Sequence, residues 1–392
     1  MSKQRYDFDS ITDRRGTGSL KWNVADNELP MWVADMDFPA ATPIREAMEE
    51  RLKHGVFGYS ELTDGWYEAY TGWWRERHHF DIKKEWLVFS TGVIPSLSST
   101  VRKLTTPNEK VIIQPPVYNI FFNSIRNNGC RVLESPLRYE NGEYTMDLDD
   151  LEKKMSDPQA SLMFLCNPQN PAGKLWDREI LARIGDMAAE HHVTVVSDEI
   201  HCDITAPGKE YIPFASVSDK CRDVSITCIA PTKAFNIAGT QTSAVMIPDP
   251  YLRHKIWRAL NTDEVAEPNC FAEAVTKAAF NESGDWLDEM REYVYANRAF
   301  AESYIEREIP DISVVKADAT YLMWIDISST GTPSDEAQEI IRRETGLFVS
   351  DGLEYGEAGR FFLRMNLACP RKTLTDGLDR LKKGIMKIQE IQ

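Results

Sequence analysis

The sequence has 392 residues, of which 42% are hydrophobic and 27% are charged, with a formal net charge of -16 at pH 7. This composition is typical of a globular protein with room for one large domain and a smaller one. The acidic balance argues against a protein that binds the nucleic-acid backbone, because such binding needs stripes of basic residues.

The N-terminal part is predicted to be an extended arm over residues 1 to about 45. Its stretch LPMWVADMDFP contains too many Pro and Asp residues for a helix. A helix is expected from Pro43, because Ile44, Met48 and Leu52 recur at helical spacing, and Gly55 is expected to end it.

From Glu85 to about Pro248, apolar strand-like runs alternate with helical patterns. The runs include EWLVFSTGV, KVIIQPPVY, SLMFLCNPQNP, VTVVSDEIH and VSITCIAPTK. This βαβ alternation predicts an α/β fold with a mostly parallel sheet covered by helices on both faces.

The remaining third of the chain predicts long helices from Asp249 to about Glu308, followed by a smaller α+β unit. Its strands are expected at SVVKADATYLMWIDI, TGLFVSDG and RFFLRMNLA, around a helix from Ser334 to Arg343. We divide the chain into an arm with part of the small domain at 1–45, a large domain at 46–285 and a small domain at 286–392.

Cysteine usage and the apolar runs limit the location of the protein. The seven cysteines include no CxxC pair, so neither a metal site nor a disulfide framework is expected, and free thiols favour a reducing cytoplasm. The first residues lack the apolar stretch of a signal peptide, and no run reaches the ~18 apolar residues of a transmembrane helix. We predict a cytoplasmic protein without a membrane or nucleic-acid partner.

Residues capable of chemistry follow the ends of the apolar runs. Parallel α/β sheets bind ligands at the carboxyl ends of their strands, so Thr91, Tyr118, Asn170, Asp198 and Lys233 are expected to converge on one crevice. A lysine, a carboxylate, an amide, an aromatic ring and a helix start rich in N–H groups suit pyridoxal phosphate.

Each of these residues can take part in cofactor chemistry, and each also has a purely structural explanation. Lys233 can form a Schiff base with the cofactor aldehyde, although most lysines are simply solvated. Asp198 can keep a pyridine nitrogen protonated, or it caps a helix. His201 either reaches the same ring or is a core histidine.

The turn NPQNPAG allows Asn170 to donate to a phenolate oxygen, although such turns also have purely structural roles. The strand-to-helix junction at Gly92 and Val93 can attract phosphate, or it is only a helix cap, and Thr232 can add a hydroxyl. Tyr118 can stack on a flat ring, or it is an ordinary core or surface tyrosine.

Two further residues are candidates for substrate binding. Arg364 lies in the apolar strand RFFLRMNLA and needs an anionic partner, which is either a substrate carboxylate or a structural salt bridge. Tyr59 lies in the glycine-flanked loop FGYSE, and this loop can reach a neighbouring subunit.

NPQNPAG, SDEIH and APTKAFNIAG, in this order, resemble the fold-type I pyridoxal-phosphate enzymes of the class I/II aminotransferase superfamily. LPMWVADMDFP, FGYSE, TGVIPSLS, PPVY, SDEIHCD and KAFNIAG resemble more narrowly the MalY/PatB-like cystathionine β-lyase subgroup. The resemblance covers nearly the whole chain. It implies a large cofactor-binding domain with a seven-stranded type of sheet, and a homodimer with active sites at the subunit interface.

The resemblance also implies residue roles. Lys233 matches the Schiff-base lysine, Asp198 the partner of the pyridine nitrogen, and Tyr59 the tyrosine contributed across the dimer. The other matches are Asn170 near the phenolic oxygen, His201 in the place of a tyrosine, Gly92, Val93 and Thr232 at the phosphate, Tyr118 stacked on the ring, and Arg364 at the substrate carboxylate. We take Lys233, Tyr59 and Tyr118 as the catalytic residues.

Two positions depart from the wider pattern. Ala230 stands where a serine often contacts the phosphate, and Gln241 stands where many aminotransferases have an arginine. The second departure is shared by the lyase subgroup, so it argues against an ordinary aminotransferase.

The expected reaction is β-elimination from cystathionine, cysteine or a related thioether to pyruvate, ammonia and a thiol or sulfide. An aminotransferase using the same residues is the first alternative. The second is a regulatory role through a partner protein, because MalY-type members are linked to repression of a transcription activator. Nothing in the residues requires this regulatory role.

Overall fold

The computed structural model describes residues 6–391, and twelve α-helices lie in this range. Short loops connect most of them to strands, as the alternating sequence pattern predicts. The helices are α1 (Thr42–His54), α2 (Asp64–His78), α3 (Val93–Leu104), α4 (Asn119–Arg126), α5 (Leu148–Met155), α6 (Arg178–Glu190), α7 (Asp219–Asp223), α8 (Pro250–Thr262), α9 (Ala272–Glu282), α10 (Gly284–Glu308), α11 (Ser334–Thr345) and α12 (Arg371–Ile391).

Fifteen strands are distributed over four sheets in the described range. They are β1 (Leu29–Pro30), β2 (Leu87–Ser90), β3 (Lys110–Ile113), β4 (Arg131–Glu134), β5 (Arg138–Glu140), β6 (Glu143–Thr145), β7 (Ala160–Cys166), β8 (Thr194–Asp198), β9 (Ser225–Ile229), β10 (Ser243–Met246), β11 (Ser313–Val314), β12 (Leu322–Asp326), β13 (Leu347–Phe348), β14 (Ser350–Asp351) and β15 (Phe362–Asn366).

The largest sheet has seven strands in the order β2-β10-β9-β8-β7-β3-β4. Strand β10 runs antiparallel to both of its neighbours, and every other pairing in this sheet is parallel. All residues of β9 are buried, as are all but one of β7, because helices cover both faces. The predicted α/β class with a mostly parallel sheet is confirmed.

The second large sheet has four antiparallel strands in the order β11-β12-β15-β14. Apolar residues of α11 and α12 pack with those of this sheet in one buried cluster, which also contains Leu29 and Met31. The predicted domain limits at 45/46 and 285/286 stay predictions. The second limit falls in the first turn of α10, which continues unbroken for 25 residues.

The N-terminal segment contributes a strand to a separate two-stranded sheet. Strand β1 pairs in parallel with β13, with Leu29 opposite Leu347. The predicted helix after Pro43 is confirmed as α1, and it ends at Gly55, which adopts a left-handed conformation with φ of 75°. Among the helices of residues 6–391, none combines the length and the low polarity needed to cross a membrane.

Candidate active site

A cavity of about 220 Å³ opens at the carboxyl ends of the central parallel strands. Strands β7 and β8 end at Cys166 and Asp198, so the turns that follow them face the same edge of the sheet. The cavity is lined by all eight residues that the sequence proposes for cofactor binding: Gly92, Val93, Tyr118, Asn170, Asp198, His201, Thr232 and Lys233.

Lys233 brings its amine to the wall of this cavity, four residues after the end of β9. Its Nζ donates a hydrogen bond to the carbonyl oxygen of Ala34 at 2.6 Å. Burial, reinforced by the positive charge of Arg364, lowers the pKa of this amine from its ordinary value of 10.5 to about 8. A neutral, nucleophilic amine is therefore accessible near physiological pH.

Asp198 is a buried carboxylate on the same cavity, with 4% of its surface exposed. Its Oδ1 accepts a hydrogen bond from the N–H of Ile200 at 3.2 Å. Burial raises the pKa of the carboxyl to about 6, against the opposing effects of this hydrogen bond and of the charge on Lys233. A cation placed beside Asp198 would favour its ionised form.

Arg364 lies directly behind Asn170 and is 5% exposed. Its Nη1 donates to Asn170 Oδ1 at 3.2 Å, and its Nη2 donates to the carbonyl oxygen of Trp32 at 2.8 Å. The guanidinium also stands over the ring of Tyr355, 4.9 Å from its centroid. Among residues 6–391, its buried Nε has no hydrogen-bond partner, so one donor is free for an anion.

His201 and Tyr118 complete the polar lining. His201 is 4% exposed, and its Nδ1 has no hydrogen-bond partner in the described part of the chain. Burial, together with the charges of Lys233 and Arg364, lowers its pKa to about 3, so the imidazole is neutral. Tyr118 directly precedes α4, and burial raises the pKa of its hydroxyl to about 12.

The start of α3 lines the cavity with the backbone of Gly92 and Val93. The first N–H groups of a helix lack intrahelical acceptors and attract anions. The expectation that Thr91 reaches the crevice is wrong, since Thr91 does not line the cavity, and its N–H donates to the carbonyl oxygen of Val265 at 2.9 Å. Ala230 is buried in the apolar core, whereas Gln241 is exposed with φ of 48°.

Tyr59 is the one predicted site residue that a single chain leaves far from this chemistry. Its side chain is fully exposed and lines a separate groove of about 1050 Å³, together with Trp257 and Pro268. The structure of one chain therefore does not bring Tyr59 together with Lys233.

Sequence reasoning missed the backbone contacts of the stretch WVADM, residues 32–36. The carbonyl oxygen of Ala34 accepts hydrogen bonds from Lys233 and from the hydroxyl of Tyr321. Asn366 Nδ2 donates to the carbonyl oxygens of Val33 and Asp35. Every residue type has a backbone carbonyl, so these contacts cannot be inferred from the side chains. The unusual composition of LPMWVADMDFP was the one signal in the sequence that pointed to this stretch.

The cavity has the polar groups that pyridoxal phosphate needs. The buried carboxylate of Asp198 suits a protonated ring nitrogen, and the unpartnered His201 Nδ1 can bond to the ring substituents. The amine of Lys233 faces the same space, and the N-terminus of α3 suits the phosphate. The residues present therefore fit this group.

Comparison with known proteins gives consistent results. Residues 33–381 match the family model described as aminotransferase class I and II. The chain is 42% identical over 384 residues to the cystathionine β-lyase PatB of Bacillus subtilis, covering 96% of this chain and 99% of that protein. A solved structure of cystalysin from Treponema denticola, which contains pyridoxal 5'-phosphate, has a TM-score of 0.94 at 31% identity, covering 97% of this chain and 99% of cystalysin. The pyridoxal-phosphate-bound C-S lyase from Staphylococcus hominis has a TM-score of 0.91 at 31% identity, covering 97% and 98%.

Proposed function

The chain belongs to the aminotransferase class I and II family, and we propose that it is a pyridoxal-phosphate-dependent carbon–sulfur β-lyase. The proposed substrates are L-cystathionine, L-cysteine and related thioethers. Elimination followed by hydrolysis consumes one water and gives pyruvate, ammonia and a thiol, or sulfide from cysteine. The names of the relatives support this activity, since PatB is a cystathionine β-lyase and the Staphylococcus hominis protein is a C-S lyase.

The observation that carries the proposal is the meeting of Lys233 and Asp198 at one cavity, with Arg364 bonded to Asn170 in its wall. Lys233 offers an amine, Asp198 offers a buried carboxylate, and Arg364 lies one hydrogen bond behind Asn170 with a free buried N–H. These are the groups needed to hold an amino acid by its carboxylate, remove a proton from its Cα and stabilise the resulting charge.

When bound, pyridoxal phosphate supplies the electron sink for the charge that develops at Cα. Asp198 would hold the proton on its ring nitrogen, and Asn170 and His201 would bond to the ring substituents. Tyr118 would cover the ring face. Gly92, Val93 and Thr232 would hold the phosphate.

The protein groups then act in a defined order. Arg364 binds the substrate carboxylate, for which its free Nε–H is available. Lys233 in its neutral form accepts the Cα proton at Nζ, which its lowered pKa makes possible near neutral pH. The thiolate that leaves Cβ receives a proton from Lys233 or from Tyr59.

We also propose a homodimer in which Tyr59 of the partner subunit completes each site. Two features support this assembly: the full exposure of Tyr59 and the cluster of exposed apolar residues beside it at Val56 and Phe57. A cytoplasmic location is part of the same proposal, because all seven cysteines are free, six of them buried, and free thiols favour a reducing compartment.

The test uses purified protein loaded with pyridoxal phosphate and incubated with L-cystathionine, while pyruvate, ammonia and free thiol are measured. The proposal expects all three products in equal amounts, and their loss in Lys233→Ala. An aminotransferase would instead form the keto acid that corresponds to the intact substrate, without thiol. Absence of protein-bound visible absorbance after excess cofactor is removed would contradict the cofactor assignment itself.

A further inference from the structure

Glu199 follows Asp198 directly and has no assigned role in the reaction. Its side chain is fully buried and does not line the cofactor cavity. No Lys, Arg or His side chain within residues 6–391 forms an ion pair or a hydrogen bond with its carboxyl group. A buried carboxyl without a cation is costly unless hydrogen bonds compensate it.

Four donors compensate Glu199, and they come from separate parts of the chain. The hydroxyl of Tyr211 donates to Oε2. The N–H of Phe214 donates to Oε1 at 3.0 Å, Ser197 Oγ donates to it at 2.7 Å, and Asn167 Nδ2 donates to it at 3.4 Å. Of these four donors, only Ser197 lies in β8, the strand that ends at Asp198 directly before Glu199.

These bonds connect the turns that carry the proposed cofactor ligands. Asn167 begins the turn that carries Asn170, and Glu199 lies between Asp198 and His201 in the next turn of the sheet. Tyr211 and Phe214 belong to a third segment, in which the carbonyl oxygen of Ile212 also accepts a hydrogen bond from Asn167 Nδ2 at 3.0 Å. The carboxyl group is thus bonded to three segments, and Asn167, the most distant of its partners in sequence, lies 32 residues before it.

We propose that Glu199 is a positioning residue that fixes the Asn170 turn, the turn bearing Asp198 and His201, and the loop 211–214 relative to one another. This inference rests on the proposed function, because it assumes that Asn170, Asp198 and His201 hold the cofactor. It predicts that cofactor binding depends on Glu199, although Glu199 touches neither cofactor nor substrate.

The chain offers a matched pair of variants. Tyr211→Phe removes one bond to Glu199 from a distant segment, whereas Ser197→Ala removes one bond from its own strand. Burial raises the pKa of Glu199 to about 8, so an uncharged amide is a conservative replacement and Glu199→Gln should restore most of what Glu199→Ala loses.

The experiment titrates pyridoxal phosphate into each cofactor-free variant and follows visible absorbance. Hydrogen–deuterium exchange of the peptides containing residues 167–173 and 198–204 is measured in the same cofactor-free proteins. Glu199→Ala is expected to weaken binding roughly ten- to hundredfold and to raise exchange in both peptides. Tyr211→Phe is expected to do so to a smaller extent, and Ser197→Ala to stay near wild type.

The proposal is overturned if Tyr211→Phe and Ser197→Ala have equal effects, or if exchange rises only in the peptide that contains residue 199. Should Glu199→Ala fail to fold, the comparison of Tyr211→Phe with Ser197→Ala decides the matter. Because binding and exchange need no turnover, a protein that binds the cofactor without lyase activity would contradict the proposed function and leave this test intact.

Discussion

Replacing Lys233 with Met in the cofactor-free protein should change how its stability depends on pH. The pKa of Lys233 is lowered to about 8, against an ordinary value of 10.5. The charged amine is therefore disfavoured in the folded protein by about 3 kcal/mol. The cause is burial, with the charge of Arg364 adding to it.

The sign follows from proton linkage. Below about pH 8 the amine is charged in both states, so the wild type carries the full cost of burying a cation. Above about pH 10.5 it is neutral in both states and the cost disappears. Wild-type stability relative to Lys233→Met should therefore rise by about 2 kcal/mol between about pH 7 and about pH 10.

The assay is urea unfolding of both cofactor-free proteins across this pH range, with an exposed lysine as control in Lys383→Met. Titrating groups that do not interact with Lys233 are shared by the proteins and cancel in the comparison, and among those that interact with it, Asp198 and His201 have pKa values of about 6 and about 3, below this pH range. A difference between wild type and Lys233→Met that stays constant with pH, or that moves in the opposite direction, would refute the assignment of a lowered pKa to the nucleophile.

Three further predictions concern the reaction. Arg364→Leu should raise KM for L-cystathionine roughly hundredfold, with a smaller effect in Arg364→Lys, because the buried cation that would bind the substrate carboxylate is lost. An unchanged KM would exclude Arg364 as the carboxylate site. Asp198→Asn should retain the cofactor but lower kcat about a hundredfold or more, since the neutral amide cannot stabilise a ring N–H⁺; steady-state kinetics at saturating cofactor would show it, and near-normal kcat would argue against this role. Mixing inactive Tyr59→Ala and Lys233→Ala proteins after reversible dissociation should restore part of the activity if each site uses Tyr59 of the partner subunit; no recovery in verified mixed dimers would contradict shared sites.

Much of the cavity could be anticipated from the sequence because its residues follow directly on apolar runs. The runs ending near Cys166, Asp198 and Ile229 are long and apolar enough to indicate buried parallel strands, and such strands end at one edge of a sheet. Placing Asn170, Asp198 and Lys233 together needed only that rule. The order of the strands and the antiparallel direction of β10 did not follow from the pattern.

The contacts that were missed depend on backbone atoms or on pairs distant in sequence. The carbonyl oxygen of Ala34 meets Lys233, which is 199 residues away, and a carbonyl is present whatever the side chain. Glu199 is bonded to Tyr211 through a loop whose path no local pattern indicates. The proposed role of Tyr59 would depend on a second chain, which spacing within one sequence cannot reveal.

The most direct test of the central claim is the stoichiometry of turnover with L-cystathionine in the absence of any added keto acid. A β-lyase regenerates its cofactor in every cycle, so pyruvate and thiol should accumulate in equal amounts far beyond the enzyme concentration. An aminotransferase without a keto acid would stop after about one equivalent per site, with no thiol released, and that result would contradict the account.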